Sequence, residues 1–243
     1  MIIYGINPVV EALKAGRVTR LKVAGRDDAR LKQIVALAGE GGVRVERVEA
    51  DVLQRDSRGG VHQGVVAELR AAREYSVADL VKGAQGPALV VVLDGIEDPH
   101  NVGAIVRSVD AVGASGVIRQ TRRAAPLDSI AAKASAGAVA HVPVADVVNI
   151  ARAIEELKAL NVWVVGLAGE AEQSYETIDW TVPSAIVLGG EGEGMRRLVR
   201  ESCDFLVRIP MQGHVESLNV SVAAGVVLFE AARQRRIRGE TSK

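Results

Sequence analysis

Apolar residues recur along this chain in short runs separated by longer amphipathic stretches, and from about residue 88 the two patterns alternate. Leu89-Val90-Val91-Val92-Leu93 is apolar at every position, the pattern of a strand buried on both faces rather than one with a wet side. Residues 162–167, 185–188 and 205–209 repeat that pattern, and Gly116-Val117-Ile118 is a shorter version. Between them, residues 101–113 place Val102, Ile105, Val106, Val109 and Val112 at helical spacing. Residues 147–160 do the same with Ile150, Ile154, Leu157 and Leu160, and 129–137 predicts a helix of small residues. A short helix is expected to begin at Met195, and a long one, apolar nearly all round, at Asn219. Apolar strands separated by helices specify an α/β fold with a parallel sheet covered on both sides.

The first 70 residues read differently. A helix over residues 6–13 is expected, with Asn7 as N-cap and Pro8 at the first helical position. Leu31, Ile34, Val35 and Ala38 give a second helix, ended by Gly39, Gly41 and Gly42. Residues 21–24 and 64–69 read as strands, and the strict alternation of 43–48 as a half-exposed one. This is a small α/β unit of a size that can fold alone. Residues 71–86 read as a partly helical connection hinged at Gly86-Pro87, which gives units 1–70 and 87–243.

Composition changes this picture little. Thirty basic and thirty acidic residues give a net charge of zero, which excludes a uniformly basic coat but not a local nucleic-acid patch. Arg119, Arg122 and Arg123 form one basic cluster, and Arg233, Arg235, Arg236 and Arg238 another; each fits a phosphate contact or a solvated surface. Cys203 is the single cysteine, so no internal disulfide forms, and it reads as a structural thiol beside a core strand. The start Met1-Ile2-Ile3-Tyr4-Gly5 has no basic region leading into a secretory apolar core, and no run suits a membrane span, so a cytoplasmic protein is expected.

Three stretches carry candidate chemistry. In Asn101-Val102-Gly103-Ala104-Ile105-Val106-Arg107-Ser108 the apolar stripe leaves Arg107 on the opposite side, grouped with Gly103 and Asp110. Arg107 is then either a surface residue paired with Asp110 or a cation held over a site, with Gly103 leaving room one turn earlier. Asn101 also has an N-cap reading. Gly189-Gly190-Glu191-Gly192-Glu193-Gly194 follows a strand and precedes a helix, yet no Gly-Lys-Ser/Thr follows and its two acids would repel a pyrophosphate. Its glycines suit close backbone approach to a ligand. In Ile209-Pro210-Met211-Gln212-Gly213-His214-Val215-Glu216-Ser217-Leu218-Asn219 a polar Ser-x-Asn pair sits where a buried strand gives way to a buried helix. No catalytic Ser-His-Asp order, paired-carboxylate spacing or metal-ligand set occurs in these stretches, and His100 and His214 read as loop residues.

In this order, the three stretches resemble the three motifs of the SpoU (SPOUT-class) RNA 2′-O-methyltransferases. Tyr4-Gly5-Ile6-Asn7-Pro8-Val9 and His62-Gln63-Gly64-Val65-Val66-Ala67 resemble the substrate-binding domain preceding many SpoU catalytic domains, which is similar to a ribosomal protein of the L30e type. His62 is then either an RNA contact or a structural hydrogen bonder. The resemblance implies a catalytic domain whose C-terminal segment forms a trefoil knot, preceded by an L30e-like domain. It implies S-adenosylmethionine as cofactor, contacted mainly through the backbone by Gly189, Ile209 and Leu218, with Gly190, Gly192, Met211 and Asn219 nearby. Arg107 matches the residue the family assigns to catalysis, with Asn101, Glu191, Ser217 and Asn219 completing the site. The expected substrate is a guanosine ribose 2′-OH in the peptidyl-transferase loop of 23S rRNA, and the expected assembly a homodimer paired through the catalytic domain. A tRNA 2′-O-methyltransferase and a non-catalytic rRNA-binding assembly factor are the alternatives. The run Ile118-Arg119-Gln120-Thr121-Arg122-Arg123 departs from the family, which usually has a Pro and a shorter basic run there.

Overall fold

The computed structural model describes residues 1–25, 28–70, 73–121 and 129–241. Arg122 and Arg123 lie outside the described residues, while Arg119 pairs with Asp146 at 2.7 Å.

The chain begins with β1 (Ile2–Tyr4), α1 (Ile6–Lys14), β2 (Val18–Ala24), α2 (Ala29–Glu40), β3 (Arg44–Val48), α3 (Ala50–Asp56) and β4 (Val65–Leu69). These strands form a mixed sheet in the order β1-β4-β2-β3. Leu21, Val23 and Val65 of the sheet meet Val9, Leu31 and Ile34 of the helices in one core. The cap of α1 is Gly5, at φ +94°, not Asn7, because the Ile6 N–H is already taken by Gln63 Oε1 at 3.0 Å. Pro8 therefore falls at the third helical position, where its missing N–H still costs no helical bond. His62 accepts the Gly64 N–H at Nδ1 (3.1 Å), a local bond that shapes the entry to β4.

The second half comprises α4 (Val77–Lys82), β5 (Leu89–Asp94), α5 (Pro99–Ala111), β6 (Gly116–Gln120), α6 (Ser129–Ala134), β7 (Val144–Val147), α7 (Ile150–Ala159), β8 (Trp163–Leu167), β9 (Gln173–Ser174), β10 (Ser184–Gly189), α8 (Arg197–Ser202), β11 (Phe205–Arg208) and α9 (Val220–Thr241). Seven strands make one sheet in the order β7-β6-β5-β10-β8-β11-β9, and every pairing in it is parallel. One face is covered by α5 and α9, through Ile105, Val106 and Val109 with Ala224, Val227 and Leu228. The other is covered by α4 and α7, through Val77, Leu80, Ile150, Ile154 and Leu157. The helix inside the 71–86 stretch is thus part of this core, started by a capping box between Ser76 and Asp79. Where a helix was expected from residue 147, Val144–Val147 is a strand, because Asn149 caps α7 by accepting the Arg152 N–H and fixes its start at Ile150.

Two features tie distant parts together. Gly103 does not open space over a site. It is buried against α6, where a Cβ would stand 2.5 Å from the Ala134 Cβ and 2.7 Å from the Ala131 carbonyl oxygen. Helix α6 in turn inserts Ala132 into the N-terminal core, beside an Arg17 bond to the Val139 carbonyl (3.1 Å) and a His141–Glu11 contact (3.2 Å). The second feature is Arg235, whose cluster was expected at the surface, as a phosphate contact or simply solvated. Its guanidinium donates to the carbonyls of Trp180, Pro87, Ala88 and Val182 at 2.6–3.1 Å, and burial pushes it below the usual arginine range. Cys203 is a half-buried structural thiol, pushed up to about 12 by desolvation. Among the described residues no helix is long and apolar enough to cross a membrane.

Candidate active site

The register of β5 on β10 sets Gly189 beside Asp94 at the carboxyl ends of the central strands. Loops leaving such ends form the usual ligand crevice of an open parallel sheet. From β5 the chain turns into α5, which is capped by Asp98 accepting the His100 N–H (2.8 Å), with Pro99 at its first position. That cap releases Asn101 from the capping role expected of it and places it inside the first turn, buried.

The Asn101 amide is used in both directions. Its Nδ2 donates to Glu191 Oε1 at 2.6 Å, and its Oδ1 accepts from Asn219 Nδ2 at 3.0 Å. Asn219 in turn caps α9, its Oδ1 accepting from the Ser221 N–H (2.9 Å) and hydroxyl (2.6 Å). Residues from all three sequence stretches therefore meet in one directed chain of hydrogen bonds ending on a carboxylate. A buried amide satisfied on both sides is held in a single rotamer and orientation.

Glu191 stands in a loop that glycine alone permits. A Cβ at Gly189 would lie 2.1 Å from the Gly194 carbonyl carbon, and one at Gly190 2.5 Å from the Gly95 oxygen. The loop closes through the Gly194 N–H bond to the Gly190 carbonyl (3.1 Å). Beyond it, Gly192 and Gly194 face open space. Ile209 packs on the core edge, whereas Ser217, Leu218 and Asn219 are exposed and Met211 is partly so. Among the described residues, no backbone–backbone hydrogen bond involves residues 211–217. These two loops offer open backbone N–H and C=O groups, suited to reading the polar edge of a flat ring without side-chain obstruction.

A cleft of about 380 Å³ opens beside Asn101 and Glu191, with Asp94, Gln120 and Arg196 in its walls. Asp94, Gln120 and Arg196 were not singled out from sequence. The available signal was an acid closing an otherwise apolar strand run, Val92-Leu93-Asp94. Ser217 is not drawn into the hydrogen-bond chain. Arg107 is exposed on α5 and, among the described residues, makes no hydrogen bond or ion pair, so of its two readings the Asp110 pairing is not seen. It stands about 9 Å beyond Asn101 along the helix axis at 1.5 Å per residue.

Comparison with known proteins decides the family. The SpoU rRNA Methylase family matches residues 88–229, and the RNA 2′-O ribose methyltransferase substrate-binding family matches residues 2–75. The chain belongs to the SpoU family. A Yersinia pestis relative named 23S rRNA (guanosine-2′-O-)-methyltransferase RlmB is 46% identical, covering 98% of both chains. A Xylella fastidiosa protein of the same name is 47% identical, covering 97% of each. Among solved structures, the SpoU methyltransferase AviRb of Streptomyces viridochromogenes, in complex with the cofactor AdoMet, has a TM-score of 0.83 at 27% identity, covering 97% of this chain and 90% of that one. The Asn219–Asn101–Glu191 chain is thus built from the three motif-like stretches of a SpoU protein.

Proposed function

We propose that this protein transfers a methyl group from S-adenosylmethionine to the ribose 2′-oxygen of a guanosine in 23S rRNA, as a cytoplasmic step of ribosome maturation. The observation that carries the reading is the near-full-length similarity to proteins named for that reaction. The Asn219–Asn101–Glu191 chain supports it. Gly189, Gly190, Gly192, Ile209, Met211, Leu218 and Asn219 would hold the cofactor, whose sulfonium supplies an electrophilic methyl when bound. The loop geometry fits that group, since Gly192 and Gly194 leave open space and, among the described residues, 211–217 make no backbone–backbone hydrogen bond. Glu191 organises Asn101 and both loops. Arg107 stabilises the alkoxide developing at the 2′-oxygen, and Ser217 completes the cofactor loop. The close backbone packing of Gly189 and Gly190 suits the trefoil knot of the family.

The test is methyl transfer from labelled S-adenosylmethionine to unmodified 23S rRNA, followed by mapping of 2′-O-methyl sites. One 2′-O-methylguanosine is expected. Labelling of tRNA alone would replace the substrate, and cofactor binding without any transfer would favour an assembly factor. Residues 1–70 are read as the unit that selects RNA, which the match to residues 2–75 supports. In the same assay a chain beginning at Arg73, so that α4 is retained, should bind cofactor and lose most rRNA methylation. Full rRNA activity of that chain would give the first unit another role.

The protein is further read as a homodimer. Helix α9 exposes Val222 and Phe229 at 51% and 57%, with the half-buried Val226 between them on one face. This apolar stripe suits a symmetric contact with the same helix of a second copy. Sedimentation equilibrium should give twice the chain mass, and a monomer mass at every concentration would remove the interface.

A further inference from the structure

The loop carrying Glu191 is pinned at both ends, and its second pin is an ion pair between a buried carboxylate and a half-exposed guanidinium. Asp94, the last residue of β5, has a side chain with no solvent exposure. A carboxylate in that position must be fully partnered. Its Oδ2 accepts the backbone N–H of Arg196 at 2.8 Å, and its Oδ1 accepts from Arg196 Nε at 2.7 Å and also from Nη2. Arg196 Nη2 also donates to Gln120 Oε1 (2.8 Å) at the end of β6, and Gln120 Nε2 donates to the Val148 carbonyl (3.1 Å). One guanidinium thereby joins the ends of β5 and β6 to the segment that follows β10.

Between Gly190 and Arg196 lie Glu191, Gly192, Glu193, Gly194 and Met195. Gly192 and Gly194 sit at φ +84° and +68°. A run so rich in glycine has little preference of its own for one conformation. Fixed ends are what limit the places Glu191 can occupy. The near end is fixed by the contact of Gly190 on Gly95, the far end by Asp94 holding both the backbone and the side chain of Arg196. Arg196 meets the buried carboxylate with its backbone and its guanidinium together, a specific geometry that fixes where the loop ends.

We propose that Asp94 and Arg196 are positioning residues for methyl transfer, a clamp that fixes Glu191 and, through it, Asn101 and Asn219. The proposal rests on the reading of Glu191 as part of the active site. The test is a double-mutant cycle of Asp94→Asn and Glu191→Gln, read as single-turnover rate on 23S rRNA with S-adenosylmethionine saturating. Asp94→Asn alone should slow transfer by about ten- to a hundredfold, the usual cost of a small misplacement. In the Glu191→Gln background it should slow transfer by no more than about twofold further, because residues that act as a unit are not additive. Should Asp94→Asn fail to fold, Arg196→Lys keeps the charge and the backbone bond while losing the fork to Gln120. It should give a smaller loss with the same non-additivity. Multiplication of the two losses would overturn the clamp and leave the Glu191 reading intact. A Glu191→Gln protein as fast as wild type would overturn both.

Discussion

Arg107→Ala should bind S-adenosylmethionine as tightly as the wild type and transfer its methyl group about a hundredfold more slowly or worse, the loss typical of removing one oxyanion donor. Stability should change little, because the Arg107 side chain is exposed and forms no hydrogen bond or ion pair among the described residues. The rate should suffer because the 2′-hydroxyl is a poor nucleophile until it sheds its proton. A guanidinium gives up its own proton only above about pH 12, so the neutral form needed for a base is scarce near neutrality. As a cation it acts without losing a proton. It stabilises the alkoxide as charge develops there, while the proton passes to water or an RNA phosphate. Its planar fork can also hold a phosphate oxygen and aim the ribose for in-line attack. Arg107→Lys should recover part of the rate, since charge is kept and fork geometry lost. Single-turnover pH–rate profiles separate the two roles. A rising limb moved clearly to lower pH in the Lys variant, with a near wild-type plateau, would make Arg107 the base and sink the electrostatic role.

Arg235→Ala should cost roughly 3 kcal/mol of folding stability, far more than a solvated C-terminal arginine would. Four carbonyls share this one guanidinium, and among the described residues those of Trp180 and Pro87 accept no other hydrogen bond. The affected contacts lock α9 to the start of β5 and to the segment before β10, so the loss is cooperative with the core. Thermal unfolding should fall by about 10 °C in a chain of this size. Arg236→Ala, one residue along and exposed, is the control and should move the midpoint by no more than surface substitutions do. Equal midpoints for the two variants would mean that the carbonyls are rehydrated without cost.

The alternation of buried strands and amphipathic helices was readable because each half-pattern is local: five apolar residues in a row, or valines at helical spacing. The three motif stretches were readable for the same reason. Contacts between stretches were less so. The Asn101 bond to Glu191 spans 90 positions and the Asn219 bond to Asn101 spans 118, and only the order of the motifs hinted that they meet. Helical spacing set Gly103 opposite the valine stripe, but could not tell that α6 covers that side and turns an open position into a packed one. Arg235 looked like its neighbours Arg233 and Arg236 because a basic cluster carries no mark of which member folds inward. Strands β1 and β9 were missed as too short for any periodicity, with three and two residues.

The central pairing of the large sheet has a consequence during synthesis. Both neighbours of β5 are parallel, but β6 follows it closely, whereas β10 leaves the ribosome roughly 90 residues later, on the order of ten seconds at ordinary translation rates. For that interval an all-apolar strand keeps one edge unpaired, and β8 cannot be seated because its own neighbours, β10 and β11, come after it. Such long-range parallel pairing slows folding and leaves edges open to intermolecular pairing. The order of strands that brings Glu191 beside Asn101 is therefore also the order that leaves the nascent sheet open longest to pairing with other chains.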